Sequence, residues 1–405
     1  MKKQKIKESS GGVTAPQGFL SAGINCGLRK SKPDLALIYS TEKCVAVAAF
    51  TKNLFRAAPV VVSKKNIKNP IQAVIINSGN ANACTGKRGI NNAQEMCSLT
   101  AQYLNIKPEN VLVFSTGVIG KYLEMNKIRN GIKILIPLLS KNSHTQSAQA
   151  ILTTDKVIKE VAVEFKIKNK KVKIGAMAKG SGMIAPDMAT MLAFITSDIN
   201  IEKKLLKKLF KKATEESFNL ISVDGEMSTN DSVVFLTNRM ANNPIITGDT
   251  SLYSNIFYNN LLYVMQKLAK LIVKDGEGVT KVIEIFVKNA ANKRKAKKIA
   301  QAVANSPLVK TAIYGEDPNW GRIIASIGGC GEKFLPEKVS LKFGNYTVFR
   351  NNTPVKSNEE KLKQHLKNDE IKIVINLNEG SETVKFITGD LTEEYININA
   401  KNRTK

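Results

Sequence analysis

The chain has 405 residues, 61 Lys and Arg against 34 Asp and Glu, a formal charge of +27, and 43% hydrophobic residues. That length and apolar content suit two or three packed units and exclude disordered and fibrous classes. No apolar run approaches the roughly 20 residues of a membrane-spanning helix, and no apolar stretch follows the basic start MKKQKIKESSGG, so a soluble, unexported, cytoplasmic protein is expected.

Along the chain, short apolar runs alternate with helical patterns. Strands are expected at 44–51 (CVAVAAFT), 73–79 (AVIINSG) and 111–117 (VLVFSTG), with a helical pattern over 90–105. A helix at 145–151 precedes strands at 161–165, 172–180 and 190–198. Helices at 201–217 and 251–273 lead to a strand at 282–288, a helix at 290–305 and a strand at 371–377. This interleaving predicts an α/β fold, layered in the α+β manner with helices outside sheet. The charged stretch NEEKLKQHLKNDE, set between strand-like runs, suggests a smaller C-terminal α/β lobe from about 330.

The charge is mostly lysine: 52 of the 61 cations, beside abundant Asn and Ile. Reading base edges or phosphates by paired contacts favours arginine instead. In KKLLKKLFKK (203–212) the residues Leu205, Leu206, Leu209 and Phe210 recur at helical spacing, which makes the lysines a solvated helix face. No nucleic-acid partner and no membrane partner are expected.

Five scattered cysteines (Cys26, Cys44, Cys84, Cys97, Cys330) form neither a CxxC pair nor an even disulfide set, and fit a reducing compartment. The two histidines, His144 in KNSHTQ and His365 in KQHLKN, lie in polar contexts that read as surface. A histidine general base or histidine-rich metal site is therefore not expected, and proton chemistry falls to carboxylates, lysine or an amine.

Two glycine motifs fail on inspection. In GNANACTGK (79–87) six residues separate Gly79 from Gly86, and Arg88 stands where a Ser or Thr would bind magnesium, so this is no phosphate loop. GSGMIA (180–185) has dinucleotide-fold spacing, but Pro186 and the β-rich MLAFI behind it break the helix such a loop requires.

The same stretch, KGSGMIAPDMATMLAFITSD (179–198), supports another reading. A threonine entering a buried strand is most simply structural. Here it comes with scarce histidine, a small residue (Ala189) before it, and glycines that let backbone approach closely. A threonine hydroxyl so placed can attack the preceding carbonyl, move the acyl group from nitrogen to oxygen, and free an α-amine by hydrolysis. That amine, with a pKa near 8, can then serve as the base of the same hydroxyl.

At this motif the chain resembles the ornithine acetyltransferase (glutamate N-acetyltransferase) family of arginine biosynthesis. The resemblance extends, in the family's order, through GGVTAPQGFLSAGINCGLRKSKPDLALI (11–38), FTKNLFRAAPV (50–60), INSGNANACTG (76–86), STGVIG (115–120), ILTTD (151–155), SVDGEMSTNDSV (222–233), KDGEGVTK (274–281), SPLVKTAIYGEDPNWGRI (306–323) and YININAKNRT (395–404).

The resemblance implies an N-terminal-nucleophile-like fold and self-cleavage between Ala189 and Thr190. Fragments 1–189 and 190–405 would stay together as one continuous fold, usually as α2β2. It implies ping-pong transfer of acetyl from N2-acetyl-L-ornithine to L-glutamate, with Thr190 as nucleophile. It also assigns Thr116 and Gly117 to an oxyanion hole, whose donors are worth about 3–4 kcal/mol each. Lys179, Glu277, Asn399 and Thr404 fall to substrate, as does one of Thr153 and Thr154. Asn399 and Thr404 require the C-terminal tail to fold back. The chain departs from the family at Asp187, where asparagine is usual, at Asn402, where an aromatic is common, and at Lys405, beyond the usual last threonine. No metal and no organic cofactor are implied; acetyl-CoA is a candidate co-substrate. The alternative is an N-terminal-nucleophile amidase or aminopeptidase, with water as acceptor.

Overall fold

A computed structural model describes residues 6–185 and 191–401. The order begins with β1 (Lys7–Ser9), β2 (Phe19–Ile24) and the sixteen-residue β3 (Leu35–Phe50), then α1 (Ala58–Asn66), β4 (Ile71–Asn77), α2 (Gly86–Leu104) and β5 (Val111–Ser115). It continues through α3 (Met125–Leu135), α4 (His144–Ala150), β6 (Lys159–Ile167), β7 (Lys170–Lys179), β8 (Leu192–Ser197), α5 (Lys203–Glu215), β9 (Ile221–Ser222), β10 (Ser232–Thr237) and α6 (Leu252–Lys274).

The first sheet orders its strands β1-β6-β7-β8-β10-β3-β4-β5, with β2 added to β3. β3 serves two sets of neighbours because its pairing with β4 shifts between Tyr39 and Cys44: the first half pairs β2 and β4, and the second half pairs β10. β8 and β10 run parallel, with Leu192 opposite Ser232. That pairing puts the residues just before the two strands side by side.

The second sheet uses β11 (Val282–Ala290), β12 (Ser340–Phe343), β13 (Tyr346–Arg350), β14 (Thr353–Pro354), β15 (Glu370–Asn376) and β16 (Glu382–Gly389), in the order β14-β13-β12-β15-β11-β16-β9. Its helices are α7 (Lys293–Ala304), α8 (Pro307–Tyr314), α9 (Trp320–Gly328) and α10 (Glu359–Leu366), and the chain ends in α11 (Glu393–Lys401). This lobe starts well before the boundary near 330 expected from the sequence. β11 is paired on both sides, and the two-residue strand β9 joins the sheet from much earlier in the chain. A charge-rich stretch marks an exposed connection rather than the start of a core, and here it forms α10.

The mixed α/β architecture expected from the sequence is present. α6 links the layers: Leu261, Leu268 and Ile272 share one core with Val161 and Ile174 of the first sheet and with Val282 and Ile387 of the second. α5 buries Leu205, Leu206, Leu209 and Phe210 as the helical spacing requires, with Phe210 edge-on to Phe235. Its outward lysines Lys203, Lys207 and Lys211 help line a groove of about 1860 Å³ beside β3, α6 and β16. Among the described residues, no helix is long and apolar enough to cross a membrane.

Candidate active site

The cluster begins where β7 ends. β7 lies between β6 and β8, and its last residue, Lys179, is opposite Leu192 in the register, two residues after Thr190. An ammonium here has left water, being only 3% exposed. It is held by the Thr153 hydroxyl at 2.6 Å and the Thr116 hydroxyl at 3.4 Å, with Asp155 Oδ2 at 3.8 Å. Burial pushes the Lys179 pKa down, and Asp155 opposes that shift without cancelling it.

Asp155 in turn organises the floor. Its Oδ2 accepts the Thr153 amide at 3.0 Å, and its Oδ1 accepts the Gly180 amide at 2.7 Å and the Lys159 ammonium at 2.7 Å. Burial alone would raise its pKa, but Lys179 and Lys159 outweigh burial and hold the carboxyl well below the usual carboxylate range. Lys159, fully buried, also reaches Asp275 at 2.5 Å, and Asp275 accepts the amides of Lys156 and Val157. The result is a dry chain Asp275–Lys159–Asp155–Lys179, closed by backbone amides.

Thr116 and Gly117 leave β5 in a turn fixed by backbone: the Thr116 amide donates to Asn77 O at 3.0 Å. Gly117 has φ +134, and a Cβ there would lie 2.3 Å from the Gly79 carbonyl carbon and 2.5 Å from the Asn80 nitrogen. Both neighbours are backbone, so neither can rotate away. Gly117→Ala should therefore cost more than ~1 kcal/mol in a denaturant midpoint and lower turnover together with stability, since the 79–81 strap must move.

The structure divides the two threonines of ILTTD. Thr153 bonds Lys179, whereas Thr154, exposed, bonds the Ser181 hydroxyl at 2.6 Å. Glu277 sits across from them: its amide donates to Ser181 O at 2.8 Å, and its carboxylate lies where a side chain on Gly182 would be, 2.6 Å from that ideal Cβ. α11 brings the Asn399 side-chain amide to Glu277 Oε2 at 3.0 Å. Thr116, Thr153, Lys179 and Asp155 thus form one group, while Glu277, Asn399, Ser181 and Thr154 form a second, joined through the backbone of 179–182. Ala189, Thr190 and Thr404 lie outside the described residues, as do the departures at Asp187, Asn402 and Lys405.

Both flanks of 186–190 are tied to one segment, 222–232. On the upstream side Asp224 accepts the amides of Met183 and Ile184 at 2.6 and 2.8 Å, and the Ser222 hydroxyl and Val223 amide donate to Ile184 O. On the downstream side Asp231 accepts the Met191 amide at 3.2 Å, and the Ser232 amide donates to Met191 O at 3.0 Å. The sequence reading gave no roles to Asp155, Lys159, Asp275, Ser181, Asp224 or Asp231. All but Lys159 sit beside glycine or Thr/Asn in motifs already quoted, yet only the pairing of β8 with β10 and of β6 with β7 brings them together. The histidines differ from expectation. Both are half-buried, and His144 Nδ1 lies 3.0 Å from Glu160, because α4 packs against the first sheet. Neither bonds to a residue of the cluster.

The chain matches the ArgJ family over residues 20–404. It is 44% identical over 401 residues to the arginine biosynthesis bifunctional protein ArgJ of Bacillus licheniformis, covering 98% of each chain. With the protein of the same name from Bacillus subtilis it is 45% identical over 406 residues, covering 100% of this chain and 99% of that one. A solved structure of the arginine biosynthesis bifunctional protein ArgJ from Bacillus halodurans aligns at 40% identity with a TM-score of 0.50, covering 52% of this chain and 98% of that chain.

Proposed function

Because the chain belongs to the ArgJ family, we propose that it carries acetyl from N2-acetyl-L-ornithine to L-glutamate in arginine biosynthesis, through an acetyl ester on Thr190. The observation that carries this reading is Lys179: a buried cation with hydroxyl partners on Thr153 and Thr116, in register two residues past the proposed nucleophile. A chain that also cleaves itself gives fragments of 189 and 216 residues, the larger just over half of 405. The share of this chain covered by the Bacillus halodurans structure, at 98% of its own length, fits a single fragment of that size.

The chemistry follows from the positions. The Thr190 hydroxyl attacks the acetyl carbonyl, with its own freed amine as base. Thr116 and Gly117 present donors to the tetrahedral oxygen, and Lys179 supplies the nearby positive charge. Collapse releases ornithine, and the α-amine of glutamate then attacks the ester. Both substrates share the α-carbon frame and differ in the charge of the tail, so a fixed cation suits the common carboxylate. Glu277, held by Asn399 from the tail, stands on the opposite side and suits an ammonium. Thr404 is assigned to substrate with them, and Thr153 rather than Thr154 acts through Lys179. Acetyl-CoA is a second donor in this scheme, the fragments assemble as α2β2, and the enzyme works in the cytoplasm.

Lys179→Met tests the site. Loss of a buried charge-assisted contact of about 2–3 kcal/mol should lower kcat/KM for acetylornithine and for glutamate alike, by about 30- to 150-fold. An unchanged kcat/KM removes Lys179 from the mechanism. Assays with acetylornithine or acetyl-CoA as sole donor test the donors: release of acetate without any dependence on glutamate would favour an amidase instead.

A further inference from the structure

Arg29 lies in the loop between β2 and β3, far in sequence from every residue of the cluster, and touches it on two sides. Its half-buried guanidinium forks across the ILTTD turn: Nη1 donates to Leu152 O at 2.7 Å and Nη2 to Thr153 O at 3.2 Å. Thr153 is the residue whose hydroxyl holds the Lys179 ammonium. The methylenes of the same side chain lie over Gly79, where an added Cβ would be 3.0 Å from Arg29 Cγ and 3.5 Å from Cδ. Gly79 is in turn part of the backbone against which Gly117 packs. The turn bearing Thr116 and Gly117 and the turn bearing Thr153 therefore rest on one arginine.

That arginine is itself held. Asp34, fully buried, accepts the Arg29 amide on Oδ2 at 2.8 Å and the Cys26 amide on Oδ1 at 2.7 Å. The Asp34 carbonyl accepts the Ser78 amide at 2.8 Å, and the Ser78 hydroxyl donates to Ala150 O at 2.8 Å. Loop 25–34, the strap at 78–79 and the turn at 150–153 are stitched into one unit. A planar guanidinium suits its centre, because its fixed fork bonds two carbonyls at a set angle, whereas an ammonium is a point charge on a flexible stem. Asp155 faces the Arg29 charge as it faces that of Lys179.

We propose that Arg29 is a positioning residue for acetyl transfer: by clamping the Leu152 and Thr153 carbonyls it sets the Thr153 hydroxyl on Lys179, and through Gly79 it steadies the turn of Thr116 and Gly117. The inference rests on the function proposed above. The described bonds of the guanidinium end on backbone carbonyls, so Arg29 acts through these two turns and not by touching substrate. Lys179 and the Thr116 turn serve both half-reactions, and loss of the clamp should slow both. The loss should fall on kcat, since donors to the tetrahedral oxygen bind most strongly in the transition state.

Steady-state kinetics with acetylornithine and glutamate test this in two variants. Arg29→Met keeps the methylenes over Gly79 and loses both bonds; Arg29→Lys keeps the charge and loses the fork. We expect kcat to fall by about 30- to 100-fold in Arg29→Met, as for a displacement of about 1 Å near reacting groups. KM for each substrate should stay within about threefold of wild type. Arg29→Lys should recover only a small part of the rate, and millimolar guanidinium should restore part of the rate of Arg29→Ala. In a Thr153→Val background Arg29→Met should add little, because the hydroxyl it positions is gone. A wild-type kcat in Arg29→Met, or losses that multiply fully with Thr153→Val and do not respond to guanidinium, overturns the proposal. If Arg29→Met does not fold, Arg29→Lys decides: a wild-type kcat there shows that the fork is not needed. Absence of acetyl transfer in the wild-type protein is a different failure, since it removes the function itself before any variant is made.

Discussion

Thr190→Ala should leave a single 405-residue chain on denaturing gels and no detectable acetyl transfer from acetylornithine to glutamate. Both losses have one cause. The side-chain oxygen is the attacking atom in self-cleavage, and it carries the acetyl group in every later turnover. With few histidines available and none in the cluster, no second residue can take over as nucleophile with its own base. The chain itself should remain folded, because the flanks of 186–190 are anchored through Asp224, Ser222, Asp231 and Ser232, none of which depends on the Thr190 side chain for its described bonds. Thr190→Ser keeps the oxygen and should cleave and transfer at reduced rates. Transfer by Thr190→Ala at more than about one-thousandth of the wild-type rate would mean that the acetyl group moves directly between substrates.

Lys159→Met should be the most destabilising single change at the site, by about 3–5 kcal/mol, read as a drop in the urea midpoint. The Lys159 ammonium is fully buried between Asp155 Oδ1 at 2.7 Å and Asp275 Oδ2 at 2.5 Å. Two buried carboxylates would be left with one fewer cation. Asp155 would still have Lys179 at 3.8 Å, but Asp275 would have only backbone amides. The pH dependence has a definite sign. The folded-state pKa of Asp155 is depressed, so its contribution is present above the unfolded carboxylate pKa and is lost as pH falls through the folded value. Removing Lys159 raises that folded value. The gap between wild type and variant should therefore be widest near neutral pH and narrow in acid. A gap that is constant with pH would assign the loss to packing instead of charge.

The contrast between Lys159 and Lys179 shows what sequence alone could reveal. Both are lysines in a chain with 52 of them, and both end in buried ion networks. Lys179 drew notice because Gly-Ser-Gly follows it and a nucleophile motif lies downstream. Lys159 sits in the plain stretch DKVIKE and gave no sign. Its partner Asp275 is more than a hundred residues away, and the approach depends on where the end of α6 meets the start of β6. The strands that read well, such as 73–79 and 172–180, are apolar on both faces, and α5 read well because its leucines keep helical spacing while its lysines face out. β10 and β16 were not anticipated, since SVVFLT and ETVKFITG are short runs that mark a strand only once a neighbour covers them. Asp231 lay inside a motif that was recognised, but its partner is set by parallel pairing, which leaves no mark on the local sequence.

Intact mass spectrometry of the enzyme after incubation with acetylornithine, in the absence of glutamate, addresses the central claim most directly. The account predicts two fragments, 1–189 and 190–405, with one acetyl group on the second, mapped to Thr190 and discharged when glutamate is added. A single uncleaved chain that is nevertheless active, or cleaved fragments that never take up acetyl while transfer proceeds, would contradict it.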